Sequence, residues 1–263
     1  MTSSPAVLVE QRSRVVIVTL NQPDRLNVLG SALIRKMTHT MAEIGAEGSA
    51  SVVVLAAAGR AWIAGADIRE MRDFTADQAR AFITALHGLF ATIRGMDQLV
   101  VAAIDGPCFG AGCELAAVCD LRVAGPRATF GMPEVRVGIP SVIEAAMLVP
   151  LVGLGRAADL VYTGDIISAE EAVRWGFVTR LAEEGQQAVA VATELAQRMA
   201  SYSSAALRLQ KGLVRRWYYD EALDRAIKLG IDHFATAYEG PDPREAMSAF
   251  LEKREPRFAD RYG

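Results

Sequence analysis

The order of the apolar runs constrains this chain most. Val15–Leu20, Ser51–Ala57, Leu99–Ile104 and Leu121–Ala124 are short and mostly β-branched or aliphatic, and they read as strands. The segments between them have a different period. Leu33, Met37, Met41 and Ile44 recur at spacings of three and four, and Phe82, Ile83, Leu86, Phe90 and Ile93 do the same. Each set lines one face of a helix. Ser31 stands where it can cap the first helix, and Thr75-Ala-Asp-Gln78 has the form of a capping box opening the second. Ala111–Val118 reads as a short third helix. Asn21–Asn27, Gly59–Ala66 and Asp105–Gly110 read as the intervening loops. Strands alternating with helices predict βαβ units, parallel pairing and an α/β fold.

After about residue 140 the strands thin out. Ser168-Ala-Glu-Glu171 again has capping-box form, and Gly176 suits the end of the helix it opens. Ala188–Met199 and Ser204–Tyr238 read as helices, and Asp242-Pro243 caps a last one running through Glu252. The chain therefore divides into an α/β core, residues 1–197, and a helical C-terminal region, residues 198–263. A chain of 263 residues buries enough surface to need no disulfide or metal staple. Its three cysteines, Cys108, Cys113 and Cys119, form no CxxC pair and read as small buried hydrophobes in a reducing cytoplasm. No apolar stretch approaches the length of a membrane span, and the N-terminus has neither signal-peptide nor transit-peptide character. A net charge of −3 argues against a nucleic-acid partner.

Several familiar chemistries are missing. There is no GxxxxGK[ST] phosphate loop and no GxSxG nucleophile elbow. Gly153-Leu-Gly155-Arg-Ala-Ala158 mimics a dinucleotide fingerprint, but it follows a helical segment and reads as a helix-to-helix turn. His39, His87 and His233 are scattered over predicted helices and read as surface or packing residues. No metal constellation emerges.

Two loop-to-helix junctions carry the chemistry that remains. In Ala61-Trp-Ile-Ala-Gly-Ala-Asp-Ile68, the small residues Ala64, Gly65 and Ala66 let a ligand approach the backbone. In Gly106-Pro-Cys-Phe-Gly-Ala-Gly-Cys-Glu114, small residues open a helix whose free N–H groups favour negative charge. Two such junctions after parallel strands can aim two N–H donors at one oxygen, as an enolate or tetrahedral oxyanion requires. Close helix packing on a sheet would also select Gly and Ala. Glu114 lies in the first turn of the second helix, where a carboxylate is favourable in any case. Glu134 follows Gly131-Met-Pro133 in a loop, too far along the chain to share a helix face with Glu114.

Taken in order, these segments resemble the crotonase, or enoyl-CoA hydratase/isomerase, superfamily. Trp62–Met71 is similar to its AGAD segment, and Asp105–Ala116 to its second oxyanion segment. Phe130-Gly-Met-Pro-Glu134 is similar to the segment bearing a second catalytic acid, and Asn21–Asn27 to the N-terminal coenzyme A loop. Leu160–Gly164, Ser168–Ala172 and Glu245–Phe250 resemble segments further on, so the likeness covers nearly the whole chain. It implies a spiral of ββα turns with a helical C-terminal trimerisation region, which the periodicity alone would not give. It also implies a homotrimer or a homohexamer built as a dimer of trimers, with Phe250 and Lys253 between subunits.

For the site, the resemblance implies that the backbone N–H groups of Ala66 and Ala111 hold a thioester oxygen, and that Glu114 and Glu134 are the two acids of the hydratase branch. Arg25, Leu26, Ala64, Asp67, Ile68 and Gly110 would contact coenzyme A or substrate. The implied reaction hydrates a 2-enoyl-CoA to a 3-hydroxyacyl-CoA without a metal or redox cofactor. Which Glu is acid and which base stays open. An isomerase or hydrolase of acyl-CoA is the rival within the family, and a non-catalytic or RNA-binding scaffold the rival outside it. One stretch departs from the familiar pattern. Gly138-Ile-Pro-Ser-Val-Ile-Glu144 replaces a Gly-rich run, and Ser141 and Val142 should reshape the acyl pocket. Ser141 and Glu144 have capping-box spacing, so Glu144 reads as a helix cap or as a third carboxylate near that pocket.

Overall fold

The apolar runs become neighbours in one sheet. In this computed structural model, which describes residues 4–202, 204–218, 231–232, 234–235 and 238–254, the sheet has six strands. They are β1 (Val7–Arg12), β2 (Val15–Leu20), β3 (Val52–Ala57), β4 (Leu99–Ile104), β6 (Leu121–Ala124) and β9 (Arg180–Leu181), in that order. β1 pairs with β2 antiparallel, and every later pairing in this sheet is parallel. β1 escapes a reading by period because it is an edge strand, with only Val7 buried. Both faces of the middle strands are covered, so they are apolar throughout rather than alternating. Val53 and Leu55 face a core shared with α1 (Ser31–Glu47) and α3 (Ala76–Gly95). Val52 and Val54 face Ala188, Ala192, Leu195 and Ala196 of α8 (Ala188–Ala200).

A second, smaller layer turns this α/β arrangement into a spiral. β5 (Pro107–Phe109) pairs parallel with β7 (Thr129–Gly131), which pairs antiparallel with β8 (Ile166–Ser168). Two single-residue bridges extend the layer backwards along the chain, Leu29 to Ala66 and Ile63 to Cys108. Each turn thus lays one strand in the large sheet and a shorter piece in the small layer. Those pieces are one to three residues long and Gly- or Pro-bounded, too short to show a period. Plain βαβ units are accordingly replaced by ββα turns.

The capping box at Thr75 forms in both directions, with Thr75 N–H on Gln78 Oε1 (2.8 Å) and Gln78 N–H on Thr75 Oγ1 (3.3 Å). Ser31 does not cap α1. Gly30 takes that position, and the Ser31 N–H and hydroxyl both donate to the Glu70 carboxylate. The last helix, Asp242–Glu252, starts at the expected cap residue itself, with Pro241 in the cap position. α5 (Leu148–Val152) and α6 (Leu154–Thr163) meet at Gly153 in the expected helix-to-helix turn. The three cysteines are free and buried.

α8 runs through the position where the sequence divides the chain, and its first N–H donates to the Asp105 carboxylate (3.0 Å). α9 (Ser204–Tyr218) is fastened by buried Lys211, whose Nζ donates to the Gln98 carbonyl (2.7 Å) and Asp120 Oδ2 (2.8 Å). Most of the expected continuation to Tyr238, and His233, lie outside the described residues. Among the described residues no helix is long and apolar enough to cross a membrane.

Candidate active site

Both junctions leave the small layer at a glycine two residues past the same bridge. After Ile63 the chain turns at Gly65 (φ +110°), and after Cys108 it turns at Gly110 (φ +51°). Ala66 and Ala111 are the residues that directly follow these two glycines. The first junction is held by Asn27, which is fully buried. Its side-chain oxygen accepts the Gln22 N–H (2.8 Å), and its amide donates to the Ala58 and Ala61 carbonyls (both 2.9 Å). Leu29 N–H donates to the Gly65 carbonyl (2.9 Å), and Asp67 N–H to the Leu29 carbonyl (3.1 Å). In a parallel ladder those bonds come from the residues flanking Ala66, so the Ala66 N–H points away from Leu29.

The second junction opens α4 (Ala111–Val118), in which every residue is buried. The first N–H groups of a helix have no partner one turn back, and Ala111 is the first helical residue here. Gly112 lets the two junctions touch, because a Cβ there would lie 2.5 Å from the Ile63 carbonyl oxygen. Gly110 does the same for the second acid. With φ +51° and ψ −118° it holds a backbone conformation that suits glycine, and a Cβ there would overlap Glu134 Oε1.

Three carboxyl groups meet at this place. Glu114, 4% exposed, accepts the Ala145 N–H on Oε1 (2.9 Å). Glu134, in the 3-10 turn Pro133–Val137, accepts the Ser141 hydroxyl on Oε2 (2.8 Å). Burial pushes the Glu114 carboxyl well above the usual carboxylate range; the negative charges of Glu134 and Glu144 push further, and the Ala145 N–H opposes them. Burial also raises Glu134, against the Ser141 hydroxyl and its own backbone N–H.

The third is Glu144, and its role as a helix cap is corrected by the structure. Val142 holds the cap position of the 3-10 turn Ile143–Met147 and makes no side-chain cap. Ser141 is engaged by Glu134 instead, and Glu144 Oε1 lies 2.8 Å from Nδ1 of His87 on α3. The competing reading survives, since Glu144 lies near enough to act on Glu114. His87, taken as a surface or packing residue, is the functional candidate that sequence reasoning missed. It sits beside the apolar stripe of α3, and nothing local marks its partner 57 residues on. His39 is exposed and paired with Glu43, as expected of a surface histidine.

The remaining candidates gather at the first junction. The Arg25 guanidinium, half exposed, forms an ion pair with buried Asp67. Asp67 also caps the short helix Ile68–Met71 (α2) by accepting the Arg69 N–H (3.1 Å). Leu26, in the left-handed region, accepts the Ala64 N–H on its carbonyl (3.2 Å). Arg25, Leu26, Ala64, Asp67 and Ile68 are thus neighbours, and the close approach of Gly112 to Ile63 brings this junction to α4 and its acids. This combination can place negative charge on an oxygen beside two carboxyls able to hold or release a proton.

Known proteins share this arrangement of elements. The profile of the family described as enoyl-CoA hydratase/isomerase matches residues 10–261. The short-chain-enoyl-CoA hydratase of Clostridium acetobutylicum is 34% identical over 250 residues, which is 94% of this chain and 95% of that one. The crotonyl-CoA hydratase of Syntrophomonas wolfei is 32% identical, with 96% and 97% covered. Among solved structures, an enoyl-CoA hydratase from Mycobacterium avium subsp. paratuberculosis superposes with a TM-score of 0.86 at 26% identity, covering 98% of this chain and all of that one.

Proposed function

The chain belongs to the enoyl-CoA hydratase/isomerase family, and from that premise we propose that it adds water across the 2,3 double bond of a 2-enoyl-CoA. The observation that carries this reading is the meeting of Glu114 and Glu134 at the entrance of α4. The pair, rather than either residue alone, carries one proton, because like charges so close resist joint ionisation. The ionised member takes a proton from water as the water oxygen bonds to Cβ. The π electrons move toward the thioester, and the enolate charge on its oxygen is met by the Ala66 and Ala111 N–H groups. The protonated member then delivers its proton to Cα, so one water is added and the pair has exchanged its proton.

This chemistry calls for no metal and no redox cofactor. Arg25, Leu26, Ala64, Asp67, Ile68 and Gly110 bind the coenzyme A portion and substrate. An Arg–Asp pair can bind phosphate while the Asp restrains the guanidinium. The core, residues 1–197, carries this site, and the helical region, residues 198–263, assembles the chain into a trimer or a dimer of trimers. A cytoplasmic location goes with the same reading. The test is crotonyl-CoA. Loss of the enoyl absorbance, with 3-hydroxybutyryl-CoA as product, is the expected result. A shifted double bond or free coenzyme A would replace hydration with isomerisation or hydrolysis.

A further inference from the structure

The turn that delivers the Ala145 N–H to Glu114 is strained at Ile143. Ile143 has φ +41° and is buried, and a β-branched residue is a genuine outlier in that region. Such a conformation persists only where its surroundings over-determine it. The next residue is tied to an element outside the turn. Glu144 is 0% exposed, its Oε1 lies 2.8 Å from His87 Nδ1, and α3 carries His87 from outside the turn. Its Oε2 has no hydrogen-bond partner among the described residues, so the His87 contact is the polar contact seen for this carboxylate. The residue after Glu144 then donates to the Glu114 carboxyl at 2.9 Å.

We propose that the His87–Glu144 hydrogen bond is a latch that holds the strained turn at Ile143 and so keeps the Ala145 N–H on Glu114, which makes both latch residues positioning residues for hydration. This rests on the functional reading above. The groups facing Glu114 are Glu134 from the turn Pro133–Val137, Glu144 from the turn Ile143–Met147 and Cys113 on α4 itself; His87 on α3 reaches it through Glu144. Neither latch residue has to touch substrate. A buried carboxylate fixing one ring nitrogen of a histidine is a common orienting device.

The test uses His87→Phe, Glu144→Leu, their double variant, and Ile143→Gly added to His87→Phe. Each single latch variant should lower kcat about 10²-fold while KM moves less than about threefold, since the lost element orients a catalytic group and does not bind substrate. The double variant should be no slower than either single one, because both remove the same interaction. Ile143→Gly should restore most of the loss, because glycine holds φ +41° unaided. Glu144→Gln, which keeps an oxygen for His87, should recover most of the rate lost in Glu144→Leu. A second readout is independent of turnover. Carboxyl ¹³C NMR of Glu114 should show its titration midpoint raised in His87→Phe, where the N–H that favours its ionised form is lost. Losses that multiply in the double variant, an effect confined to KM, no rescue by Ile143→Gly, or an unmoved Glu114 midpoint would each overturn the latch. If the wild-type protein fails to hydrate crotonyl-CoA, the functional reading falls, and the NMR midpoint alone decides the latch.

Discussion

Glu114 is set against the stability of its own fold. Its carboxyl titrates above the ordinary glutamate range in the folded protein, mainly through burial. Between the ordinary value and the raised one, the folded chain holds a proton that the unfolded chain releases. Stability therefore falls as pH rises through that window, and Glu134 adds to the fall in the same direction. Glu114→Gln keeps an oxygen for the Ala145 N–H but cannot ionise. It should melt higher than wild type at pH 7 to 8, with the gain vanishing near about pH 4, where a free glutamate is itself half protonated. Thermal scans across pH check this, and a constant difference at all pH values would contradict it. The same substitution, and Glu134→Gln, should each lower kcat by about 10²- to 10⁴-fold with little change in KM. At the first junction, Arg25→Ala should raise KM for crotonyl-CoA more than it lowers kcat. Equal binding of coenzyme A by the variant would leave Arg25 as nothing more than the partner of Asp67.

At the scale of elements, α4 and the loop before it decide the site. Proline at the first helical position removes an N–H with little disturbance of a helix. Ala111→Pro should thus stay folded and lose about 10²- to 10³-fold in rate, the usual cost of one oxyanion donor. A folded Ala111→Pro enzyme of wild-type activity would exclude that donor. The elements also show where sequence reasoning succeeds. α4 and β4 match their expected ranges, and α3 opens at the expected capping box with the expected apolar face inward, because each is described by a local cap or a continuous apolar run. Glu114 and Glu134, singled out through their family segments, come together in the fold. Two local signals misled for one physical reason. Ser31 and the Ser141–Glu144 spacing satisfy short-range capping rules, but such rules name only one possible partner. Ser31 is taken by Glu70, Ser141 by Glu134 and Glu144 by His87, each reached through the fold. The small layer was illegible because its pieces are shorter than any period.

Assembly belongs to the whole molecule. Phe250 is 62% exposed on the single chain, and Leu154, Tyr162 and Leu209 are exposed as well. The trimer proposed above would be free to cover such side chains at its subunit contacts. Sedimentation or light scattering at micromolar concentration should give three or six times the chain mass of 28.3 kDa. A mass of one chain would contradict the proposed trimer.

The spiral also sets a measurement that no side chain controls. The two proposed donors come from successive turns, each three residues after the Ile63–Cys108 bridge. Neighbouring strands lie about 4.8 Å apart, and a good N–H···O bond is about 2.9 Å long. An oxygen at that distance from two donors so spaced sees them about 110° apart, near the spread of lone pairs on a carbonyl oxygen. Donors that keep this spacing would thus grip a thioester with the pitch of the β-ladder itself. Side-chain evolution around the site can change what is gripped while the grip keeps its gauge.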